Sequence, residues 1–388
     1  MSDREGAGST ARSRVRRFVY ALSVLVGVLA VLSALFLTRF DRRTDFRIFY
    51  RSALAWRNHQ PIYPETRPNL NLPTVVVAYV PLTYVSERNA LGMFTLAGIA
   101  CVIAASRRLS GVVPSVPWFV IAALIFALEG GWTNLWLGQE GLVMMLLTTL
   151  AWLADRDRRD VAAGAWAGAA VYAKPFLAGL LIYWAWRRQW RSLSSAALAM
   201  AVLVLIGAAF AGPASYLQWW RSLGLGPAPY SPLNASLLGL WSRLFFGSEF
   251  APPLWREPPR VLLPLWGLSI IVLVFAIYKR IASDRRPDLA WALILLGSLL
   301  VSPLGWIYYL PLAAGPIVAS LGGIGSWVCF WISAYMLLLF RSNFMANLPM
   351  SAGAAVSVGS IYAWTLLLLF TAVWSGRGTS RPVDDDTQ

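Results

Sequence analysis

The chain has 388 residues, of which 58% are hydrophobic and only 13% are charged. This much apolar surface cannot be hidden in one water-soluble core, so the composition predicts an integral membrane protein. A formal charge of +15 would suggest a nucleic-acid partner for a soluble protein, but the basic residues lie in short clusters between apolar segments, which indicates membrane topology and no nucleic acid.

The first apolar segment follows a basic N-terminus, residues 1–17. Residues 18–38 carry no charge, and as a helix they would span about 31 Å, the thickness of a hydrocarbon core. No small-residue cleavage site follows, so this segment is interpreted as a retained anchor rather than a signal peptide.

The later apolar segments predict an all-α bundle of about 10–13 transmembrane helices in one domain, residues 18–375. The basic clusters between them can all face the cytoplasm, together with both termini and the tail at residues 376–388. Pro81 and Glu87 interrupt residues 74–106, so a broken helix or two pieces are alternatives there. The predicted crossings are residues 18–38, 74–106, 116–134, 140–154, 161–173, 175–187, 192–212, 259–280, 288–304, 306–321, 325–341 and 355–375.

Two loops on the predicted outer side are longer than the basic turns. In the first, residues 39–73, Phe46, Phe49 and Tyr50 recur at helical spacing, which predicts a short amphipathic helix along the membrane interface. The second, residues 213–259, combines tryptophans with many prolines and predicts an irregular cap. These loops are where chemistry is expected.

Asp45 stands immediately before the predicted outer helix and just beyond the first membrane segment. Aspartate is a favoured N-cap residue, so helix capping explains its position without any function. The functional alternative is a general base, because a carboxylate within hydrogen-bond reach of a hydroxyl can take its proton. The two roles do not exclude each other, and both stay open.

Lys174 is one of only two lysines among 33 basic residues, and it ends the uncharged run at residues 161–173. An ammonium at that depth could neutralise a phosphate, or it could extend to the interface like an ordinary lysine at a helix end. Arg47, in the first outer loop, could likewise hold a phosphate or contact the headgroups of membrane lipids.

Residues 302–309, with the sequence SPLGWIYY, interrupt two predicted helices at their outer ends. Irregular backbone at such a depth usually lines a cavity, so Trp306 is a candidate contact for a ligand. Most of the other tryptophans are expected to belong to the interfacial belts of the bilayer. Glu129, Gln139 and Glu140 face the same side, and the two acids are rivals of Asp45 or interfacial caps.

The remaining reactive residues exclude several kinds of site. The single histidine, His59, and two cysteines in apolar segments, Cys101 and Cys329, support neither a metal site nor a disulfide framework. The chain has no P-loop and no glycine-rich dinucleotide fingerprint, and its basic loops are too short for a nucleotide-binding domain. No metal and no cofactor are therefore predicted.

Several short motifs follow one another in a distinctive order along most of the chain. They are Asp45-Phe46 with Tyr50-x-x-Ala53 and Pro61-Ile62-Tyr63, Gly138-Gln139, Ala163-Gly164 through Ala173-Lys174-Pro175, Asn234-Ala235-Ser236-Leu237, and Ser302-Pro303 with Trp306. This order resembles glycosyltransferase family 87, the polyprenol-phosphate-mannose-dependent mannosyltransferases of the GT-C superfamily. Each motif is weakly specific by itself.

The resemblance implies a GT-C-like fold and a transferase that moves a sugar, mannose by analogy, from a polyprenyl phosphate with inversion at its anomeric carbon. Asp45 occupies the position of the base. By the same matching, Lys174 would help to hold the donor phosphate, while Gln139, Asn234 and Trp306 would line the substrate cavity. The acceptor would be a hydroxyl of a lipid-linked molecule or a glycan.

One position departs from the family pattern. Similar family members have a histidine two residues after the tryptophan, where this chain has Tyr308, followed by Tyr309. A tyrosine cannot supply an imidazolium, so either Tyr308 donates a hydrogen bond to the donor phosphate or the donor is held differently. Tyr309 is expected beside it in the substrate cavity.

A lipid or solute transporter without transferase activity is the alternative from another class. Transporters commonly show paired repeats and charges near mid-membrane, whereas here the notable polar residues gather at one face and no repeat is visible. We therefore expect a multi-pass glycosyltransferase of the plasma membrane, with both termini in the cytoplasm.

Overall fold

The computed structural model describes residues 2–40, 45–63, 69–114, 116–223, 230–245, 259–345 and 351–376. Within these ranges every extended regular element is a helix, and the one β-type contact is an isolated antiparallel bridge between Asn234 and Trp306. The predicted all-α class is confirmed.

The described part of the chain before residue 212 forms ten α-helices. They are α1 (Ser2–Phe40), α2 (Phe46–Arg57), α3 (Pro73–Ala78), α4 (Glu87–Val112), α5 (Trp118–Ala127), α6 (Glu129–Leu137), α7 (Gly141–Arg156), α8 (Asp160–Ala173), α9 (Gly179–Trp186) and α10 (Trp190–Ala211). Short 3₁₀ helices at Val80–Tyr84 and Pro175–Ala178 join α3 to α4 and α8 to α9.

The rest of the described chain continues in the same style. Its helices are α11 (Ala214–Ser222), α12 (Leu237–Phe245), α13 (Pro259–Ser283), α14 (Pro287–Val301), α15 (Ala314–Ser320), α16 (Ile324–Leu339), α17 (Ser342–Met345), α18 (Ala352–Val356) and α19 (Ile361–Ser375). Two 3₁₀ helices, Ile307–Ala313 and Val358–Ser360, lead into α15 and α19.

Among the described residues, five helices are long and apolar enough to cross a membrane. They are Arg17–Phe36, Glu87–Val112, Trp190–Ala211, Arg260–Ser283 and Ala352–Ser375. The pair α5 and α6, bent by 69°, makes a sixth if it is one broken span. Four of the other predicted crossings fall on shorter apolar helices, and those at residues 140–154 and 161–173 fall on α7 and α8. The protein is therefore a multi-pass membrane protein.

The predicted segment at residues 74–106 is broken in the structure, as its internal proline allowed. The helix α3 ends at Ala78, the 3₁₀ helix containing Pro81 follows, and α4 begins at Glu87 with Ser86 as its side-chain cap. Only α4 is long enough to span the bilayer. The break places α3 beside the start of the outer helix instead of inside a long membrane helix.

Two tight turns rich in arginine lie at one end of the bundle, here called the basic end. Arg158, between α7 and α8, and Arg188, between α9 and α10, both adopt the left-handed backbone conformation, with φ of 56° and 57°. The helix α8 runs away from this end and α9 returns to it. The Lys174-Pro175 junction between them therefore lies toward the opposite end of the bundle.

The helix α8 packs closely against α10. A Cβ on Gly168 would lie 2.9 Å from the Cα of Ala196, and a Cβ on Gly164 would lie 2.7 Å from the Cβ of Ser195. The small residues therefore allow the two backbones to approach, as is usual for helix pairs in membranes.

The basic end is also held by indole hydrogen bonds to a buried carboxylate. Asp155, near the end of α7, accepts from Nε1 of Trp184 on α9 at 3.1 Å and from Nε1 of Trp291 on α14 at 2.7 Å. One aspartate thus ties three helices together, because a buried carboxylate needs donors on both oxygens.

The predicted amphipathic helix in the first outer loop is α2. It buries Phe46, Phe49 and Tyr50 on one face. The ring of Phe46 lies 6.1 Å from that of Tyr79 and 5.3 Å from that of Phe94, so α2 is anchored on the segment before α4 and on α4 itself. This packing fixes the first residue of α2 and, with it, Asp45.

Candidate functional site

Asp45 precedes α2 and occupies its N-cap position, but its side chain does not cap the helix. Its backbone carbonyl accepts from the amide of Ile48 at 2.9 Å. The carboxylate turns away and accepts a hydrogen bond from Nε2 of Gln139. Side-chain capping, one of the two explanations of Asp45 from the sequence, is therefore absent, and the carboxylate lies in a polar site.

Gln139 reaches Asp45 because of the sharp junction between α6 and α7. Gly138 ends α6 with φ of 66°, a left-handed conformation that glycine adopts without strain. A Cβ at this position would lie only 2.6 Å from the Cβ of Phe46, so the junction is pressed against the start of α2. The Gly138-Gln139 motif thus brings an amide to the carboxylate.

Burial raises the pKa of Asp45 to about 6, from its ordinary value of 3.8. The hydrogen bond from Gln139 and the charge of Lys174 favour the carboxylate and oppose this shift, but desolvation is the larger effect. Asp45 lies beyond the end of the first membrane helix and keeps partial access to solvent. A pKa near 6 makes it a stronger base than an exposed aspartate.

Lys174 is held in a buried ion pair at the end of α8. Its Nζ lies 3.0 Å from Oε2 of Glu140 and donates to Oδ1 of Asn71 at 2.6 Å. The ammonium also lies over the ring of Tyr309, 5.5 Å from the centroid. Because only 12% of its side chain is exposed, Lys174 does not extend to the interface as an ordinary helix-end lysine would.

Glu140 is surrounded by donors. Besides Lys174, its Oε1 accepts from Nδ2 of Asn71 at 2.8 Å and from the hydroxyl of Tyr79 at 2.9 Å. Both oxygens of the Glu140 carboxylate are thus engaged by neighbouring side chains. Of the rival acids at this end of the bundle, Glu140 is therefore a partner of Lys174 rather than a base.

Three aromatic side chains predicted to contact ligands complete the group. The ring of Tyr308 stacks on that of Trp306 at 5.9 Å and meets that of Tyr309 at 4.8 Å. Both tyrosines interact electrostatically with Asp45. We call the end of the bundle that holds these groups and Asp45 the site end.

Asn234 is fully buried and serves the segment that carries Trp306. Its Oδ1 accepts from the amide of Gly305 at 3.0 Å, and its Nδ2 donates to the carbonyl of Pro303 at 2.9 Å. Its backbone forms the isolated bridge to Trp306. The asparagine therefore fixes the backbone around the tryptophan.

Two further candidates lie apart from this group. Arg47 pairs with Glu87 at the start of α4, with 3.4 Å between Nε and Oε1, in a half-exposed position. Glu129 is buried at the start of α6, where it accepts from the amide of Ser342 and lies 3.8 Å from the guanidinium of Arg341. About 15 Å of helix separates Glu129 from Gln139, so it belongs to a different cluster.

Three residues of this site were not predicted from the sequence. Asn71 and Tyr79 donate hydrogen bonds to Glu140. Asn134 supports the backbone of Tyr308, because its Nδ2 donates to the Tyr308 carbonyl at 2.6 Å. Asn71 and Tyr79 precede Glu140 by 69 and 61 residues, and they belong to no recognisable motif. The remaining clue was that Asn71 is a polar residue two positions before Pro73, where α3 begins.

An apolar chamber of about 260 Å³ lies deeper in the bundle. It begins at Leu310 and Pro311, directly after the two tyrosines, and extends toward Trp152 near the basic end. Most of the residues around it come from α4, α5, α15 and α16, with others from α6, α7 and α19, and the lining is almost entirely apolar. Such a chamber is suited to a hydrocarbon chain, because it offers no hydrogen-bond partners.

The described fold defines a multi-pass membrane protein with a cluster of polar side chains at one end of the bundle and an apolar chamber deeper in it. The model of glycosyltransferase family 87 matches residues 69–303, which is more than half of the chain. The chain therefore belongs to glycosyltransferase family 87, as its motifs indicated, and it is a membrane glycosyltransferase.

Two curated relatives carry the same description, polyprenol-phosphate-mannose-dependent alpha-(1-2)-phosphatidylinositol mannoside mannosyltransferase. The protein from Mycolicibacterium smegmatis (strain ATCC 700084 / mc(2)155) is 26% identical over 334 residues, 75% of this chain and 72% of the relative. The protein from Mycobacterium tuberculosis (strain ATCC 25618 / H37Rv) is 24% identical over 300 residues, 69% of this chain and 67% of the relative. No solved structure matches the chain.

The region that matches the family includes Gln139, Lys174 and Asn234 but neither Asp45 nor Trp306. Tertiary contacts join the two outside residues to it, since Gln139 bonds to Asp45 and the backbone of Asn234 pairs with that of Trp306. The site therefore extends beyond the matched region on both sides.

Proposed function

We propose that this protein transfers mannose from polyprenyl phosphate mannose to a hydroxyl group of a lipid-linked acceptor, with Asp45 as general base. The observation that carries the proposal is the Asp45 carboxylate, which is released from helix capping, held by Gln139 and placed beside Lys174 and two tyrosines. The names of both relatives supply the donor and suggest a phosphatidylinositol mannoside as the acceptor class.

The reaction is a single displacement. Asp45 takes the proton of the acceptor hydroxyl while that oxygen attacks C1 of the mannosyl group. The bond between C1 and the phosphate oxygen breaks, and its electron pair leaves with the polyprenyl phosphate. Attack from the face opposite the leaving group inverts the configuration at C1. The proton on Asp45 then returns to solvent, to which Asp45 keeps partial access.

Gln139 holds the base in place. Its Nε2 donates to one oxygen of the Asp45 carboxylate, so the other oxygen can meet the acceptor hydroxyl. A base whose position is set before the substrate arrives loses less entropy in the transition state. Gln139 is therefore a positioning residue, and the acceptor is bound along the exposed side of Asp45.

The leaving phosphate needs donors, and Lys174 and Tyr308 are the nearest candidates. Two of the three ammonium protons of Lys174 go to Glu140 and Asn71, and the third interacts with Tyr309, which a phosphate oxygen would replace as acceptor. Tyr308 adds a neutral hydroxyl donor. Arg47 becomes a further phosphate ligand when its guanidinium leaves Glu87 and binds the phosphate. This exchange costs little, because a half-exposed ion pair contributes little stability.

The sugar and the lipid chain would occupy the two sides of the tyrosine pair. The stacked rings of Trp306 and Tyr308, next to Tyr309, present aromatic faces of the kind that pack on a pyranose. The polyprenyl chain would pass Leu310 and Pro311 into the apolar chamber. This arrangement accounts for a donor that is polar at one end and hydrocarbon at the other.

The test is transfer of labelled mannose from polyprenyl phosphate mannose to membrane lipids by purified, reconstituted protein. We expect Asp45→Asn to lower the rate on the order of 10²–10⁴-fold at equal amounts of folded protein. The matched control is Asp157→Asn, which removes an exposed acid at the basic end and should leave the rate unchanged.

Each outcome of this comparison is informative. Equal rates for wild type and Asp45→Asn would remove Asp45 from the mechanism. No transfer by the wild-type protein, despite intact folding, would contradict the proposed donor and favour the transporter alternative.

A further inference from the structure

Arg243, on α12, is a buried cation for which the described part of the chain provides no acidic partner. Only 2% of its surface is exposed, and none of the ion pairs among the described residues includes it. Its Nη2 is buried and makes no hydrogen bond. Burying a guanidinium in this way is costly unless the bonds that it does make are needed.

Those bonds go to three points on two segments. Nη1 donates to the carbonyl of Ser231 at 2.8 Å and to that of Asn234 at 3.1 Å, while Nε donates to Oγ of Ser360 at 2.7 Å. The guanidinium therefore fastens the turn that precedes α12 to the start of α19. Its flat fork reaches all three acceptors at once, which a point charge does not.

The turn held by Arg243 is the segment that supports Trp306. Beside the side chain of Asn234, the amide of Ala235 donates to the carbonyl of Gly305 at 2.8 Å, and the amide of Ile307 donates to the carbonyl of Leu233 at 3.1 Å. A shift of the turn would move this whole ladder, and the Trp306 ring with it.

We propose that Arg243 is a positioning residue for the transfer reaction. It fixes the carbonyls of Ser231 and Asn234 and thereby sets the Trp306 and Tyr308 rings relative to Asp45. The contacts with the turn stand independently of any activity, whereas the catalytic consequence rests on the function proposed above. Positioning through Trp306 also accounts for a buried guanidinium at a place where an apolar side chain would avoid the cost of desolvation.

The first measurement is hydrogen exchange of the amides of Ala235, Gly305 and Ile307 in full-length protein. Arg243→Lys keeps the charge but removes the fork, so these amides should exchange at least tenfold faster while the amides of α7 stay protected. The matched control, Arg221→Lys, changes an exposed arginine on α11 and should alter neither set. Unchanged exchange at the three amides in Arg243→Lys would overturn the proposal.

The second measurement is a double-mutant cycle with Trp306→Ala, read as mannosyl transfer. Misplacing the rings by about 1 Å should lower kcat of Arg243→Lys about 10²-fold, with a smaller change in KM. In the Trp306→Ala background the same change should cost less than threefold, because the residue through which Arg243 acts is already gone. Equal losses in both backgrounds would show that Arg243 acts only through general stability.

Two further comparisons keep the test decisive. If Arg243→Lys yields no folded protein, Ser360→Ala removes one bond and leaves the guanidinium in place, and a smaller loss with the same dependence on Trp306 is expected. If wild-type protein transfers no mannose, the proposed function fails, and the exchange measurement alone decides whether Arg243 holds the turn.

Discussion

At the scale of the residue, the two carboxylates at the site end, Asp45 and Glu140, have different surroundings. Asp45 has one side-chain hydrogen bond, from Gln139, and a raised pKa, whereas Glu140 accepts from three side chains and is matched by Lys174. The two acids thus differ in their partners, because desolvation outweighs the single hydrogen bond at Asp45, whereas the Glu140 carboxylate is held in an ion pair. The acid adjacent to Gln139 in the sequence is therefore the partner of Lys174, and the distant one is the base in the proposed mechanism.

Transfer activity should fall as the pH drops through about 6. The folded pKa of Asp45 is raised to about 6, so the carboxylate is the main form above that pH and is lost below it. We expect kcat/KM to decrease tenfold per pH unit on the acid side. A rate that stays level from pH 7 to pH 5 would contradict the role of Asp45.

The pH at which activity falls, here called the acid limit, should shift in Gln139→Leu. The hydrogen bond from Gln139 lowers the pKa of Asp45, so its removal should move the limit to higher pH. The measurement is the pH profile of kcat/KM for wild type and variant at matched amounts of folded protein. A limit that moves to lower pH would show that another group titrates.

At the scale of the element, the site depends on where three helices begin and end. Lys174 follows α8, Glu140 precedes α7, and Asn71 precedes α3, so the ion pair and its hydrogen bond join three helix ends at the site end of the bundle. The helix α8 packs closely against α10, because its small residues leave no large side chains between the two helices. The pair thus contributes to the junction as well as to the charge of the site.

Breaking this pair from one side should cost more than removing it altogether. Glu140→Gln leaves the ammonium of Lys174 buried without a counter-charge, which we expect to lower the free energy of unfolding by about 3–5 kcal/mol. The double variant Glu140→Gln with Lys174→Met should recover a large part of that loss. Thermal unfolding in detergent measures both, and equal stability of the single and double variants would show that the pair does not hold the junction.

At the scale of the whole molecule, polar groups are sorted between two ends. The basic end carries the tight arginine turns and the indole bonds of Asp155, whereas the site end carries Asp45, the Lys174 pair and the tyrosines. By the positive-inside rule the basic end is expected in the cytoplasm, which would place mannosyl transfer at the outer face of the plasma membrane.

This orientation can be tested by labelling single cysteines in intact cells. In a background where Cys101 and Cys329 are replaced by serine, Asn58→Cys at the site end should react with a membrane-impermeant maleimide. Asp157→Cys at the basic end should react only after the membrane is opened. Both positions are exposed, so the difference reports the side of the membrane and not burial. The reverse pattern would place the site in the cytoplasm.

The sequence by itself determined the membrane class and the outer helix, and it singled out several residues that the structure brings together at the site end. Long uncharged runs leave no other solvent for their surface than lipid, and helical spacing of Phe46, Phe49 and Tyr50 is a local property that needs no tertiary contact. Asp45, Lys174 and Trp306 stood out for the same reason, since each breaks the pattern of its surroundings.

The tertiary structure alone decided which residues are partners. Asp45 and Gln139 are 94 residues apart, Asn71 and Lys174 are 103 apart, and Arg243 meets Ser360 across 117 residues. No local pattern encodes such pairs, because they form only when helix packing brings distant ends together. For the same reason, spacing could not show that the Asp45 side chain leaves its helix uncapped.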